Sequence, residues 1–327
     1  TMKLLVSLAG KENLMAIPQR LQEVVMTPRD ANRFRTPGPL GHSNTASGTR
    51  VAGPLGFQPG IFAAPPKLQI KAVKKLKMPA PAGDSKTKLV RDVSWDLFKK
   101  GKDPAVADVH QGQLANCPLA SLLSALANTP SGRKHIKSLI AEYSAVVETD
   151  VSAVAGELDS VPAGKKITSN RYFAVTLGGQ SIEVSSVFYT DDADEGWSLI
   201  YMRSPNEALW PCLIEKAYAH KEGNYGALDS GSGKQLTLNQ IWKVVVGSAP
   251  EGFEVNKKTP VSKISSTISA AGRIPTVAAS DAMWHGFTVL GMKGSKIELY
   301  DPMAPGKKTV SMEDFRNDFS AILYGSP

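Results

Sequence analysis

The stretch QGQLANCPLASLLSALA, at Gln111–Ala127, decides the fold and points to the chemistry. From Leu119 onward its leucines recur at helical spacing, which predicts a helix with an apolar stripe. Cys117 falls where this helix begins, and the free N–H groups of a helix N-terminus favour a thiolate there. Gln111 lies six residues earlier, so its side-chain amide is a candidate donor to an oxyanion beside the sulfur. The stretch therefore predicts half of a cysteine hydrolase, whose base must come from elsewhere.

Among the five histidines of the chain, His285 is the strongest candidate for that base. It opens the predicted strand HGFTVLGM and is followed by Gly286, which leaves space beside the ring. Asp301 ends the next predicted strand sixteen residues later, so a hairpin would bring its carboxylate to the imidazole and fix its orientation. The simpler alternatives are a turn-forming Asp-Pro at Asp301 and a buried structural thiol at Cys117.

The composition is that of a globular protein of 327 residues, with 42% hydrophobic and 21% charged residues. Its two cysteines, Cys117 and Cys212, do not make a disulfide framework, and we expect Cys212 to be structural. No apolar run approaches the ~18 residues that span a membrane, and the first residues lack a convincing secretion signal. We expect a protein that is cytoplasmic or exported by a route without such a signal.

The net charge of +8 is concentrated near the N-terminus. Residues 1–100 carry 17 basic and 6 acidic side chains, whereas the other 227 residues carry 21 and 24. Residues 28–66 are rich in Pro, Gly, Ser and Thr, and Lys67–Lys77 contains five lysines. We therefore predict that residues 1–92 form an extended basic arm or linker and that residues 93–327 form the globular domain. The arm suits an acidic partner or docking to a larger assembly, and a solvated segment is the alternative.

The domain is predicted to be α+β, with helices first and an antiparallel sheet later. Periodicity near 3.6 residues indicates the helices, and short apolar runs between turn residues indicate the strands. Predicted helices cover residues 117–128, 132–146, 206–222, 238–246, 261–271 and 312–318. Predicted strands cover residues 171–177, 181–189, 197–202, 274–279, 285–292, 296–300, 309–310 and 321–324.

Metal and phosphate sites are not indicated by the sequence. No Cys/His set has the spacing of a zinc site, and DSGSGK at residues 229–234 lacks the spacing of a phosphate-binding loop. The acidic loop at residues 191–195 offers oxygen ligands for calcium, but a solvated turn is the simpler interpretation. We assign no cofactor and no metal.

These motifs resemble those of the calpain-type (family C2) cysteine proteases of the papain-like superfamily. QGQLANC at residues 111–117 is similar to the family motif Q-G-x-L-G-D-C, and WPCLIEKAYA at residues 210–219 is similar to W-P-x-L-L-E-K-A-Y-A. His285 matches the family histidine, and Asp301-Pro302 falls where the family carries Asn-Pro. The resemblance covers about residues 100–325. It implies a papain-like two-lobed fold, with a helical Cys lobe and an antiparallel β-sheet His lobe.

The chain departs from the family pattern close to the expected site. Ala115-Asn116 replaces Gly-Asp before the cysteine, and Pro118 stands where the family has Trp. Proline is compatible with the first turn of a helix. Asp301 in place of Asn keeps a hydrogen-bond acceptor and adds a charge that favours the imidazolium. The family's calcium switch uses acidic loops, and Asn116 lacks one of those carboxylates.

The residues and the resemblance together predict a thiol-dependent endopeptidase that cleaves protein substrates. Cys117 would attack the carbonyl while His285 moves the proton. Asp301 would orient His285, and Gln111 would stabilise the oxyanion. Such a protease would suit a bacterial effector or toxin, or attachment to a larger particle. The alternatives are a catalytically silent protein that keeps the fold for binding, and another acyl transfer such as deamidation.

Overall fold

The computed structural model describes residues 73–82, 89–99, 101–151, 166–193, 196–229 and 237–327. Most of the predicted arm, the end of the acidic loop at residues 194–195 and most of DSGSGK lie outside these residues. The chain divides into two units, Thr1–Lys67 and Leu68–Pro327, and the described residues belong to the second.

The second unit is a mixed α+β structure, so the predicted α+β class is confirmed. The described helices are α1 (Cys117–Ala127), α2 (Pro130–Leu139), α3 (Trp210–Glu222), α4 (Leu238–Val246), α5 (Val261–Ser269) and α6 (Met312–Asp318). The described strands are β1 (Lys74–Lys77), β2 (Leu89–Asp92), β3 (Ile140–Asp150), β4 (Lys166–Leu177), β5 (Gln180–Ser185), β6 (Val187–Ala193), β7 (Gly196–Leu199), β8 (Glu251–Glu254), β9 (Thr276–Ser280), β10 (His285–Lys293), β11 (Lys296–Asp301), β12 (Gly306–Val310) and β13 (Ala321–Tyr324). Within the described ranges, no helix has both the length and the apolar character needed to cross a bilayer.

The described strands form three sheets, with the orders β1-β3-β4-β5, β2-β6-β7 and β12-β11-β10-β9-β13-β8. The pairing of β1 with β3 is parallel, and the other strand pairings are antiparallel. In the largest sheet, the hairpins β9–β10 and β11–β12 lie side by side. Their turns therefore share one end of the sheet, where β10 begins and β11 ends.

Helix α1 is buried on all sides. Nine of its eleven residues are buried, whereas the sequence predicts only one apolar stripe. On one side α1 shares a core with α3 and α4, and on the other it packs against β10. There Thr288 Oγ1 donates to the Ser121 carbonyl at 2.7 Å, and a Cβ atom at Gly286 would lie 3.0 Å from Ser121 Oγ. The small residues of α1 thus allow the start of the helix to approach the start of β10.

Several elements differ from their sequence-based predictions. The single strand predicted over residues 181–189 is divided between β5 and β6, which lie in different sheets. The predicted helix over residues 132–146 is wrong in its second half, because α2 ends at Leu139 and β3 begins at Ile140. Long-range pairing of β3 with β4 overrides the local helical pattern there. The sequence also does not predict β8, a short and mostly exposed strand that pairs with β13. Its residues show no apolar alternation that would reveal it.

The folded unit begins upstream of the boundary at residue 93 that composition indicates. β1 pairs with β3 and β2 pairs with β6, although both strands lie in the segment assigned to the arm. The Ala82 N–H also donates to the Tyr201 hydroxyl at 2.8 Å. In β1 the more and less exposed positions alternate, and lysines occupy three of its four positions. The strand therefore resembles a solvated basic segment in sequence.

The fold requires glycine at Gly112, where a Cβ atom would lie 2.1 Å from the Tyr201 backbone oxygen. The added methyl group of Gly112→Ala must therefore displace either the segment around Gly112 or the segment around Tyr201. We expect it to lower the free energy of unfolding by about 2–4 kcal/mol, measured by urea denaturation.

Gly272→Ala is the matched control for this substitution. None of the described residues places an atom within 4 Å of a Cβ atom at Gly272, so the change should be close to neutral. Equal stability of Gly112→Ala and Gly272→Ala would contradict the close backbone approach.

Candidate active site

The structure brings Cys117, His285 and Asp301 together where α1 meets the largest sheet. His285 Nε2 and Asp301 Oδ1 are 2.8 Å apart, and the Cys117 side chain lies close enough to the same imidazole to raise its pKa. Because Asp301 occupies Nε2, the ring nitrogen that remains for the sulfur is Nδ1. Phe287 packs edge-on against the imidazole, with 4.7 Å between ring centroids. Three chain elements thus meet at this site: α1 provides its first residue, β10 its first residue and β11 its last residue.

The site is buried on the His285 side and open at the sulfur. The side chains of His285 and Asp301 are 7% and 4% exposed, whereas Cys117 is partly exposed. Burial alone lowers the pKa of His285, but the hydrogen bonds and charges of Asp301 and Cys117 outweigh it and raise the pKa to about 9. At neutral pH the site therefore holds an imidazolium, which is the form that stabilises a thiolate.

Asp301 is held by several donors besides His285. Its Oδ2 accepts from Lys308 Nζ at 2.5 Å, and its Oδ1 accepts from the Met303 N–H at 3.0 Å. Burial raises the pKa of Asp301, but the bonds from His285 and Lys308 lower it well below its usual range. Lys308 thus balances the charge that Asp301 introduces. Sequence reasoning does not identify Lys308, because its link to Asp301 depends on the pairing of β11 with β12.

Gln111 is buried and is fixed through both its backbone and its side chain. Its backbone N–H donates to the Pro302 carbonyl at 2.8 Å, and its Nε2 donates to the Leu114 carbonyl at 2.6 Å. An amide nitrogen carries two N–H donors, and the described residues provide an acceptor for one of them. Its Oε1 also has no partner in this part of the chain. The second Nε2–H has no acceptor among the described residues.

The segment around Gln111 runs antiparallel to residues 200–203. His110 and Arg203 exchange backbone hydrogen bonds of 3.0 and 2.9 Å, and the Gln113 N–H donates to the Ile200 carbonyl at 2.9 Å. Arg203 Nε also donates to His110 Nδ1 at 3.2 Å. Burial, together with the Arg203 charge, lowers the pKa of His110 to about 4. His110 is therefore neutral at physiological pH and positions its neighbour Gln111.

A buried carboxylate of α3 joins this segment to the residue before the cysteine. Asn116 Nδ2 donates to Glu215 Oε1 at 2.6 Å, and the Met202 N–H donates to Glu215 Oε2 at 2.8 Å. Burial raises the pKa of Glu215 to about 7, although both hydrogen bonds oppose this shift. Sequence reasoning missed this clamp. The available signal was a glutamate inside WPCLIEKAYA, an otherwise mostly apolar segment whose ten residues are all buried in α3.

Three further side chains of α3 are buried in the protein, those of Trp210, Lys216 and Cys212. Trp210 lies in the core and donates from Nε1 to Asp108 Oδ2 at 2.9 Å. Lys216 donates from Nζ to the Ser185 carbonyl at 2.8 Å, although burial lowers its pKa to about 7. Burial also raises the pKa of the Cys212 thiol well above its usual value. Cys212 therefore remains a neutral core residue, as the sequence predicts.

Among the described residues, His135, His220 and Asp191 of the acidic loop have partners away from the site. His135 and His220 each bond a backbone carbonyl, at 2.9 and 3.0 Å, and His42 lies outside the described residues. Asp191 of the acidic loop accepts from the Ser198 N–H and hydroxyl at 3.1 and 2.6 Å. Over the described ranges, no three side chains of His, Cys, Asp or Glu group closely enough to hold a metal ion.

Comparisons with known proteins do not place the chain in a family. No protein-family model matches it, and no curated protein matches it significantly. The resemblance to calpain-type proteases therefore remains a prediction from the sequence motifs, and the functional argument depends on the geometry of the site.

The Glu215 clamp can be tested through the pH dependence of stability. The pKa of Glu215 is about 7 in the folded protein, above its ordinary value of 4.5, so folding strengthens proton binding. This contribution is fully present below pH ~4.5 and is lost as the pH rises through about 7. Glu215→Gln cannot ionise and should remove that fall in the free energy of unfolding, a difference of about 2–3 kcal/mol between pH 5 and 7.

Urea denaturation of wild type and variant across this pH range measures the difference. Glu313→Gln, at an exposed position of α6, is the control, and its free energy of unfolding should fall with pH as in wild type. If Glu215→Gln shows the same fall, Glu215 does not carry a raised pKa in the folded protein.

Proposed function

We propose that the chain is a cysteine endopeptidase of the calpain type with a papain-like arrangement of its catalytic residues. The observation that carries the proposal is the imidazole of His285. Its Nε2 is hydrogen-bonded to the Asp301 carboxylate, and the nearby Cys117 side chain raises its pKa. A nucleophile, a base and an orienting carboxylate therefore stand in the order that thiol hydrolysis requires. A polypeptide is the substrate class for this activity.

The first half of the reaction forms a thioester. In the reactive form of the pair the proton of the Cys117 thiol already resides on His285 Nδ1, and the thiolate of this form attacks the carbonyl carbon of a peptide bond. As the C–S bond forms, the carbonyl electron pair moves onto oxygen. Two donors would meet that oxygen, the second Nε2–H of Gln111 and the Cys117 backbone N–H, which has no acceptor within α1 because Cys117 begins that helix.

The second half releases both products. The oxyanion re-forms the carbonyl, the C–N bond breaks, and the His285 imidazolium gives its proton to the departing amine. A water molecule then attacks the thioester while His285 takes its proton, and the acid leaves as the proton returns to Cys117. Asp301 stays ionised throughout, because Lys308 and His285 hold its pKa low.

Alkylation tests the state of the catalytic thiol. At neutral pH, iodoacetamide should modify Cys117 at least about 100-fold faster than Cys212, because Cys212 is buried and Cys117 lies beside an imidazolium. His285→Ala should slow the modification of Cys117 by about 10-fold or more. Peptide mapping by mass spectrometry measures both rates.

His135→Ala is the matched control, since its ring bonds a backbone carbonyl, and it should leave the Cys117 rate unchanged. Slow and equal modification of the two cysteines would contradict the proposal and favour a silent binding protein.

Cleavage of polypeptides tests the reaction itself. Wild-type protein incubated with a denatured proteome should create new N-termini that Cys117→Ala does not create. Conversion of glutamine or asparagine side chains to acids, without new N-termini, would replace the endopeptidase with a deamidase. If wild-type protein creates neither new N-termini nor deamidated side chains, the result would contradict a catalytic function on polypeptides.

Asp301→Asn separates the charge of this residue from its hydrogen bond. The amide oxygen remains an acceptor for His285, but the charge that helps to raise the pKa of His285 is removed. We expect the alkaline limb of kcat/KM, where the imidazolium loses its proton, to move to lower pH by about one to two units. Asp318→Asn, at the exposed end of α6, should leave the limb in place. An alkaline limb that does not move in Asp301→Asn would show that the carboxylate charge does not act on His285.

A further inference from the structure

The most exposed large apolar side chains of the described residues flank the candidate catalytic residues. Trp284 is 77% exposed and Met303 is 57% exposed. Trp284 directly precedes His285, and Met303 follows Asp301 by two positions. Single exposed apolar side chains are common on protein surfaces. Two of them beside one reactive site instead indicate a surface that binds a ligand.

The two residues belong to adjacent turns. Trp284 ends the turn between β9 and β10, and Met303 lies in the turn between β11 and β12. Because β10 pairs with β11, these turns lie next to each other at one end of the sheet. Both backbones are held, since the Trp284 N–H donates to the Asp281 carbonyl at 3.3 Å and the Met303 N–H donates to Asp301 Oδ1.

The stability of the fold does not explain why a tryptophan occupies position 284. Its φ angle is 48°, in the left-handed region that a bulky residue seldom adopts. Such a conformation costs conformational energy, and an indole that is 77% exposed recovers little of it by packing. Strained backbone of this kind is characteristic of ligand-binding turns. The position therefore favours a role for the side chain outside the folded chain itself.

We propose that Trp284 and Met303 form an apolar subsite for the polypeptide substrate. The inference rests on the proposed endopeptidase function and names the substrate it prefers, a polypeptide with a large apolar side chain close to the scissile bond. The occupant is a polypeptide because any chain that presents its carbonyl to Cys117 must pass close to the turn that carries His285. An indole face and a thioether both pack well against aromatic and branched aliphatic groups.

The reach of the two turns limits where that side chain lies. Trp284 and His285 are neighbours in the chain, with Cα atoms ~3.8 Å apart, so the turn that carries the indole lies beside the residue that faces Cys117. An extended peptide advances ~3.3 Å per residue. The contacting substrate residue is therefore within about three positions of the cleaved bond.

Cleavage-site profiling tests the subsite. Wild type, Trp284→Ser and Met303→Ser are each incubated with a peptide library from a digested proteome, and cleaved bonds are identified by mass spectrometry. Wild type should show enrichment of large apolar residues at one position within three residues of the bond. Trp284→Ser should lose the enrichment, and its kcat/KM on a preferred peptide should fall about 10-fold, mainly through KM. Met303→Ser should also reduce the enrichment of large apolar residues and lower kcat/KM on the preferred peptide.

The controls separate the subsite from the chemistry. Val261→Ser, an apolar residue that is 46% exposed at the start of α5, should leave the profile unchanged. Iodoacetamide modification of Cys117 should stay at the wild-type rate in Trp284→Ser, because the candidate catalytic residues are unchanged. The thermal midpoint of Trp284→Ser should also match wild type, since the indole is exposed.

Three other outcomes would contradict the subsite, and they can be told apart. Cleavage with an unchanged profile in Trp284→Ser would overturn the subsite and leave the endopeptidase standing. No cleavage by wild type would overturn both. Sedimentation of wild type as a dimer and of Trp284→Ser as a monomer would assign this surface to a second copy of the chain instead.

Discussion

The contact between the Cys117 side chain and the His285 imidazole is the interaction on which the site depends. It joins a residue at the start of α1 to one at the start of β10, which lie far apart in sequence. The contact exists because α1 is buried on all sides and approaches β10 through small residues such as Ser121 and Gly286. The packing of one helix therefore determines the geometry of the reactive pair.

Buried polar groups fix the backbone segments that surround Cys117 and His285. Glu215 connects the residue before the cysteine to the segment at Met202, and the Gln111 backbone bonds the turn after Asp301. Burying a carboxylate costs free energy unless its hydrogen bonds are made, and such groups stabilise a fold little on balance. Their value here is positional, since each restricts a backbone that carries a functional residue.

The sequence predicts the local features and the candidate catalytic residues, but it misses the hydrogen bonds and strand pairings that other distant segments make. A cysteine at a helix start, the histidine that opens a strand and the segment around α3 are recognisable from spacing and periodicity. The clamp between Asn116 and Glu215 and the ion pair of Lys308 with Asp301 require contacts between distant elements. β1 and the second half of the predicted helix at residues 132–146 depend on pairing with other strands, which overrides local pattern.

The ionisation of His285 tests the central claim most directly. NMR of protein carrying ¹⁵N in its imidazole rings follows the titration of each histidine. We predict that His285 is an imidazolium at neutral pH, that it titrates near pH 9, and that Cys117→Ala lowers this value because the sulfur no longer contributes. A neutral His285 imidazole at physiological pH, with the same titration in Cys117→Ala, would contradict a thiol–imidazole pair in this protein.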